Sequence, residues 1–308
     1  MSDVLEIVCD ESGSDGENLM GGNTAVFAHS GVHISPAEAA APMAEARRRI
    51  GSPASIYGAT HFLRPKHRDA LLWLLGRDGP LHGRAHVHLT DKAYYAVRQV
   101  MELLLGEGEE DRAPAARELY RTGREKADPV QWTLFLRAAN DLMRTKPQAA
   151  DPVAVFFAQV GELQTAWGAS GAQLERLAGT RARAEEFRAR LLDAPAAVPA
   201  MDPFLPALVR TVEHWSAPGR PVTIVHDRQN ALTEERLAWL RGRVGDRLAE
   251  VRMNDPKTDV RIQLADFLAG IARKAASDEL AGRPDVQLRE LLRPYVDRRS
   301  VWSGGPVW

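Results

Sequence analysis

Short apolar runs that end in polar, turn-forming residues recur near both ends of the chain and predict β-strands there. The first run, from Val4 to Asp10, passes directly into the sequence Glu-Ser-Gly-Ser-Asp-Gly, which favours a turn. Because another strand-like run follows this turn, the first two strands are predicted to form an antiparallel pair. The predicted strands cover residues 4–10, 24–34, 55–63, 84–90, 220–227 and 249–255.

Helical periodicity is typical of most of the remaining sequence. Ser35 followed by Pro36 has the pattern of a helix N-cap with proline in the first turn, and Pro42 is expected to bend or split this helix. From about residue 91 to 217 the chain is rich in Ala, Leu, Arg and Glu, which indicates a block of helices. Further helices are predicted at residues 36–50, 65–76, 235–248 and 262–280.

Strand patterns at both ends, with helices between them, predict an α/β fold whose two sequence halves meet in space. We expect one α/β domain formed by residues 1–92 and 220–308, with a large helical insertion at residues 93–219. With 308 residues, the chain is long enough to bury a core in this domain and another in the insertion.

The composition is that of an ordinary globular protein, with 44% hydrophobic residues, 26% charged residues and a formal net charge of −1. No overall basic field indicates a nucleic-acid partner, although a local basic groove is compatible with this balance. Cys9 is the single cysteine, so neither an intramolecular disulfide nor a cysteine zinc cluster can form. The sequence shows no signal-peptide pattern and no window of about 20 apolar residues, so we expect a soluble cytoplasmic protein without membrane contact.

Two predicted strands end in an aspartate, and this is the main chemical signal of the sequence. Because side chains alternate along a strand, Asp10 shares a face with Val8, and Asp227 shares a face with Val225. Binding sites in open α/β sheets form beyond the carboxyl ends of the strands, where carboxylates could bind a divalent cation. A strand-end aspartate taken alone is usually a turn former that accepts hydrogen bonds from its own backbone.

Asp266 is the third candidate carboxylate, in the first turn of the last strong predicted helix. It lies at the border of the buried face that Leu264 and Leu268 mark. A favourable interaction with the helix dipole is the simpler interpretation of an acidic residue at this position. A functional interpretation requires Asp266 to converge with Asp10 and Asp227 in the folded chain.

Two histidine pairs alternate along predicted strands, His29 with His33 and His86 with His88. A face with two histidines can hold zinc, but neither pair has a carboxylate or cysteine nearby at a recognised spacing. We therefore interpret both pairs as polar faces of the sheet.

Four short motifs, which follow one another along the chain, resemble the motifs of a known family. They are VCDESGS at residues 8–14, VHLTDK at 87–92, TIVHDRQN at 223–230 and NDPKTDVRIQLADFLAGIARK at 254–274. Together they resemble the bacterial domain-of-unknown-function 3800 family from about Ile7 to Lys274. The resemblance implies a ribonuclease H-like fold, in which a mixed sheet and flanking helices bring acidic residues together around Mg²⁺ or Mn²⁺.

The resemblance also implies the roles of the acidic residues. Asp10, Asp227 and Asp266 are expected to be metal ligands and catalytic residues, contributed by two strand ends and the last long helix. Glu11 belongs to the same motif as Asp10 and is a further catalytic candidate.

Two lysines are implied to bind substrate. Lys92 matches a strand-end lysine of the family that could contact phosphate, and the alternative is that it is an ordinary residue at a helix start. Lys257 matches a lysine that precedes the last helix.

The departures from the family are at three positions. His61 stands where the family has a glutamate, Leu63 where it has a lysine, and Pro256 where it has a serine. The imidazole of His61 is an acceptable ligand for Mn²⁺, so His61 is included among the expected metal ligands.

The function implied is metal-dependent phosphodiester hydrolysis by a nuclease that uses Mg²⁺ or Mn²⁺, with RNA or DNA as substrate. The helical insertion would clamp the substrate or form a homodimer interface. Two alternatives stay open. One is a non-catalytic nucleic-acid- or protein-binding member of the same fold, and the other is a hydrolase of a small phosphate ester or nucleotide.

Overall fold

A computed structural model describes residues 4–51, 58–106, 109–168, 171–194, 198–304 and 307–308. Within these ranges, five strands form one mixed sheet in the order β3-β2-β1-β4-β5. The strands are β1 (Leu5–Ser12), β2 (Val26–Val32), β3 (Ala85–Asp91), β4 (Val222–Asp227) and β5 (Leu248–Asn254).

Helices flank the sheet and make up the middle of the chain. Those that follow β2 are α1 (Pro36–Ile50), α2 (Ala59–Phe62) and α3 (Arg68–Leu75). The middle helices are α4 (Lys92–Leu105), α5 (Glu109–Lys126), α6 (Pro129–Met143), α7 (Pro152–Trp167), α8 (Ala172–Ala178), α9 (Arg181–Asp193) and α10 (Phe204–Trp215). The last helices are α11 (Glu234–Val244), α12 (Val260–Leu280) and α13 (Val286–Leu292), and no described helix has the length and apolar character needed to cross a membrane.

The pairing of the strands brings four carboxyl ends to one edge of the sheet. β1 is antiparallel to β2, which is antiparallel to β3, and β1, β4 and β5 are parallel neighbours. The predicted pairing of the first two strands and the meeting of the two sequence halves are thereby confirmed. We call the side at which β1, β3, β4 and β5 end the carboxyl edge.

One face of the sheet is covered by α12, which contacts three strands. Val8, Val225 and Ile262 form a small buried cluster that joins β1, β4 and α12. Ser30 of β2 donates a hydrogen bond of 2.7 Å from Oγ to the backbone oxygen of Ala265. The helix is therefore fixed in position directly below the carboxyl edge.

The N-terminal end of α12 is fixed by charged groups. Asp259 caps the helix and accepts hydrogen bonds of 2.8 and 2.6 Å from Nε and Nη2 of Arg261. The same guanidinium donates from Nη1 to Glu6 of β1 at 2.5 Å. Charge-assisted hydrogen bonds of this kind satisfy a guanidinium that is largely removed from water.

The opposite face of the sheet is covered by α10 and α11. Phe204 and Leu208 of α10 share a buried cluster with Ile7 of β1 and Ile224 of β4. Helix α10 lies within the range 93–219 that the sequence assigned to the insertion, yet it packs directly on the sheet. The apolar face of α10 explains this position, since burying it requires a second apolar surface.

Helices α4 to α9 surround a core of their own, which includes Phe135, Phe156 and Leu163. The loop between β1 and β2 is attached to this group of helices. Asn140 of α6 accepts a hydrogen bond from the backbone N–H of Met20 at 3.2 Å and donates to the backbone oxygen of Glu17 at 2.8 Å. The loop that follows β1 is therefore held by the helical block.

Two sequence predictions were wrong in this region of the chain. The predicted strand at 55–63 is helical at α2, where Ala59 and Phe62 are both buried at helical spacing, and residues 52–57 lie outside the described ranges. Pro42 neither splits nor ends α1, which runs unbroken from its Ser35 capping box because Met43 and neighbouring residues bury one face of it.

Gly270 of α12 gives a test of the packing between α2 and α12. A Cβ atom at residue 270 would lie 2.4 Å from Cβ of Ala59. We expect Gly270→Ala to lower the free energy of unfolding by about 1–3 kcal/mol through overpacking, although alanine is the better helix former by about 1 kcal/mol. Urea unfolding of both proteins measures this difference.

Gly161 of α7 is a matched control, because a Cβ atom there would meet no heavy atom within 4 Å. Gly161→Ala is expected to raise the free energy of unfolding by about 0.5–1 kcal/mol through helix propensity alone. If Gly270→Ala were equally stabilising, the close contact between α2 and α12 would be refuted.

Candidate functional site

The two strand-end aspartates lie side by side on neighbouring parallel strands. In the register of β1 and β4, Cys9 is opposite His226, so Asp10 and Asp227 follow at the same level. Adjacent strands are about 4.8 Å apart. Side chains alternate along each strand, so both aspartates are on the sheet face that carries Val8 and Val225, which is the face covered by α12.

Asp266 approaches the same place from the helix. It lies one turn after Ile262, which contacts Val8 and Val225. Residues four apart share one face of a helix, so Asp266 extends the line of that cluster towards the two strand-end aspartates. The structure thus brings together the three aspartates singled out in the sequence, and their carboxyl groups interact electrostatically with one another.

Burial and nearby negative charge raise the pKa values of Asp10 and Asp266. Desolvation is the largest cause for Asp10, followed by the charges of Glu11 and Asp266, and together they raise its pKa to about 9. Desolvation and the charge of Asp227 raise the pKa of Asp266 to about 6. The site therefore concentrates negative charge that a cation or a proton would neutralise.

The side chain of each strand-end aspartate also accepts a hydrogen bond from the backbone N–H of the next residue. Oδ1 of Asp10 accepts a hydrogen bond of 2.7 Å from the N–H of Glu11, and Oδ1 of Asp227 accepts one of 2.7 Å from the N–H of Arg228. This is the turn-forming role expected of an aspartate at a strand end. In the described ranges, no three histidine, cysteine, aspartate or glutamate side chains are arranged to hold a metal ion.

Glu11 points to the other face of the sheet, as alternation along β1 requires. Its Oε1 accepts a hydrogen bond from Gln229, and its Oε2 is 3.6 Å from Nε2 of His226. Burial is the largest cause that raises the pKa of Glu11 to about 7, and the Gln229 hydrogen bond opposes it. Nε2 of His226 is in turn 3.2 Å from Nε2 of His29, and burial lowers the pKa of both imidazoles.

Lys92 lies at the carboxyl edge but is buried, with 1% of its side chain exposed. Its Nζ contacts Asp15 and donates a hydrogen bond of 2.7 Å to Oγ1 of Thr24, so it holds the loop after β1. Asp91, the residue before it, caps α4 and accepts a hydrogen bond of 2.7 Å from Tyr120. A phosphate contact by Lys92 stays a prediction, and its observed contacts are structural.

Lys257 and His61 are placed near this edge on different segments. Lys257 is exposed in the turn after β5, whose last residue Asn254 is aligned with Asp227. His61 of α2 has its Nδ1 3.2 Å from the backbone oxygen of Gly58, and a Cβ atom at residue 58 would lie 3.9 Å from Oδ2 of Asp266. Helix α2 thus begins beside the aspartates, while metal binding by His61 stays a prediction.

Arg273 is a site residue that the sequence reasoning missed. It lies seven residues after Asp266 on α12, donates a hydrogen bond of 2.9 Å from Nε to Oγ of Ser12, and electrostatically lowers the pKa of Asp266. Its spacing of two helical turns from Asp266 is a signal that could have identified it. The site therefore includes a guanidinium next to its carboxylates.

Comparison of the chain with protein-family models, curated proteins and solved structures finds no match. The site is therefore described by its own geometry, which consists of three carboxylates on the α12 face, a glutamate on the α10 face, and an arginine beside the turn after β1.

The raised pKa values predict how stability depends on pH. In metal-free protein, the folded chain retains protons on Asp10, Glu11 and Asp266 that the unfolded chain releases above about pH 4. Below about pH 7 the buried histidines, whose pKa values are lowered, oppose this effect, so the free energy of unfolding should fall as pH rises from about 7 to 9. We expect Asp10→Asn to stabilise the protein by about 2 kcal/mol at pH 8 and to flatten this dependence, as measured by urea unfolding with a chelator present.

The exposed Asp246, after α11, provides the control for this measurement. Asp246→Asn should leave the pH dependence as in the parent protein. A parent protein whose stability rises between pH 7 and 9 would contradict the burial of Asp10 among like charges.

Proposed function

We propose that the protein is a metal-dependent phosphodiester hydrolase, a nuclease, with a ribonuclease H-like sheet. One observation carries the proposal: Asp10, Asp227 and Asp266 come from two strands and a helix, and meet on one sheet face at the carboxyl edge. The mixed sheet with helices on both faces agrees with the fold that the sequence resemblance implies. Partly buried carboxylates with raised pKa values are common at functional sites.

The chemistry of the three carboxylates suits a hard divalent cation such as Mg²⁺ or Mn²⁺. A carboxylate offers about four acceptor positions, so the one backbone bond accepted by Asp10 or Asp227 leaves others for a ligand. Asp10, Asp227 and Asp266 would hold the ion, with His61 of α2 as a further candidate. When bound, the ion would supply Lewis-acid polarisation of the phosphodiester and activation of water.

Other residues would position the phosphate and transfer protons. The guanidinium of Arg273 carries five N–H donors in a planar fork, one of which is used by Ser12, and this geometry suits phosphate oxygens. Lys257, exposed in the turn after β5, would contact the phosphate backbone without reading sequence. Glu11, with its pKa raised to about 7, is able to exchange a proton near neutral pH.

The helical insertion is proposed to clamp the substrate or to form a homodimer contact. Val130 and Leu134 of α6 support a contact surface, because they lie one turn apart and are 67% and 44% exposed. RNA and DNA both remain candidate substrates.

A second candidate function is binding without catalysis. Two observations favour it. Asp10 and Asp227 each accept a hydrogen bond from the backbone N–H of the next residue, and the described side chains form no group of three that could hold a metal ion. In this alternative, the fold binds nucleic acid or protein after losing an active metal site. Hydrolysis of a small phosphate ester or nucleotide is a third candidate, distinguished by its substrate.

Metal binding is tested by thermal unfolding. Mn²⁺ or Mg²⁺ at about 100 times its dissociation constant should stabilise the folded chain by about 2.7 kcal/mol and raise Tm by about 5 °C or more. We expect Asp10→Asn to abolish this rise, because it removes a charged ligand.

The matched control is Asp128→Asn, since Asp128 caps α6 and asparagine is an equally good cap. This variant should show the full rise in Tm with metal. A parent protein whose Tm does not respond to either ion would favour binding without catalysis.

Hydrolysis is tested on RNA, single-stranded DNA, duplex DNA and RNA–DNA hybrid, with each metal. We expect cleavage of at least one polymer. We also expect Asp227→Asn to lower kcat/KM by more than about 100-fold, because mutation of residues that only hydrogen-bond to metal ligands already lowers activity about 10- to 100-fold. Asp128→Asn should retain the parent rate. Turnover of mononucleotides or small esters alone would support the third candidate.

A further inference from the structure

A cavity of about 940 Å³ lies at the outer edge of β3, away from the aspartates. It is lined by His86 of β3, by His214 and Trp215 of α10, and by residues 293–299 with Trp308 of the C-terminal segment. Its volume is within the range of about 300–1,000 Å³ that small-molecule sites occupy.

The cavity is separated from the aspartates, because it lies at the edge strand β3, two strands away from β1, and its residue His86 is on the opposite face of the sheet. His86 is aligned with Gly31, which is aligned with Cys9, and these positions face α10. Asp10, the residue after Cys9, faces α12. A ligand in the cavity would therefore not contact the three aspartates.

The cavity has a positively charged lining. Arg293, Arg298 and Arg299 contribute guanidinium groups, and Asp297 is the acidic residue among those that line it. The charge of Asp297 is already balanced, because its Oδ2 is 3.3 Å from both Nε and Nη2 of Arg210. Arg293 is 3.5 Å from Glu290 and Arg299 is 3.9 Å from Glu213, so an anion would be attracted mainly by Arg298.

The wall also contains buried nitrogen atoms without a hydrogen-bond partner. Nε1 of Trp215 and Nε1 of Trp308 lack a partner, whereas Nε2 of His86 is 3.4 Å from Oδ2 of Asp297. A buried polar group without a partner is costly, and most such groups in folded proteins are satisfied. An acceptor-rich ligand would satisfy these nitrogens.

Flat rings line the same space. The exposed ring of His214 stacks on His86 with centroids 3.8 Å apart, and Trp215 stands edge-on to His214 at 5.1 Å. Because His214 is exposed, rotation of its side chain would open His86 to the cavity. Aromatic rings of this kind also stack on planar ligands.

We propose that this cavity binds a small organic phosphate that carries a planar ring, of the size of a mononucleotide. Arg298 binds the phosphate, with added positive charge from Arg293 and Arg299. The aromatic side chains contact the ring, and the unpartnered indole N–H groups of Trp215 and Trp308 donate hydrogen bonds. This site is independent of the proposed hydrolase function, because it uses the other face of the sheet.

The proposal is tested by calorimetric titration with adenosine monophosphate, adenosine and inorganic phosphate, in chelator to exclude metal-dependent binding elsewhere. We expect the monophosphate to bind more tightly than either part. Arg298→Ala and Trp215→Phe should each weaken it about tenfold, equivalent to about 1.4 kcal/mol. Trp215→Phe keeps an aromatic side chain while it removes the N–H group and one ring of the indole, and Arg298 is exposed, so both variants should fold.

Arg247→Ala, an exposed arginine between α11 and β5, and Asp10→Asn are the controls, and both should bind as the parent does. No binding by any probe would overturn the proposal. Phosphate binding as tight as the monophosphate would refute the ring contact. Loss of binding in Asp10→Asn, with binding intact in Arg298→Ala and Trp215→Phe, would move the ligand to the aspartates and refute the second site.

Discussion

The attachment of α12 to the sheet is the constraint on which the rest of the site depends. Arg261 bonds the start of the helix to Glu6 of β1, and Ser30 of β2 bonds to the backbone of Ala265 about one turn later. These contacts fix the position of the helix along the strands. Asp266 follows immediately after Ala265, so its place beside Asp10 is a consequence of that attachment.

The gathered carboxylates are kept together against their own repulsion. Packing of Val8 and Ile262 beneath them and the hydrogen bonds of α12 hold them in place, while burial raises the pKa of Asp10 to about 9. A cluster of this kind is less stable as anions than as separated groups, and bound positive charge relieves the difference. Arg273 supplies part of that charge from within the chain, which makes a further cation or phosphate contact chemically reasonable.

The two faces of the sheet have different chemistry because residues alternate along the same strands. On the α12 face of β1, Val8 leads to Asp10, while on the α10 face Cys9 leads to Glu11 and its buried histidine neighbour His226. Helix α10 covers the second face, so His29, His86 and His88 form a buried polar layer beneath it, while His33 is exposed. The alternation of histidines in the sequence indicated a polar face of the sheet, and the structure shows that α10 covers this face.

The sequence by itself determined the strands, the main helices and the strand-end positions of Asp10 and Asp227, because periodicity and alternation are local properties. It could not show that α10 covers the sheet or that residues 59–62 are helical, since short apolar segments depend on what they pack against. Only the tertiary structure placed Arg273 beside the aspartates and buried Lys92 against Asp15. Both depend on contacts between residues far apart in the chain, which local patterns do not contain.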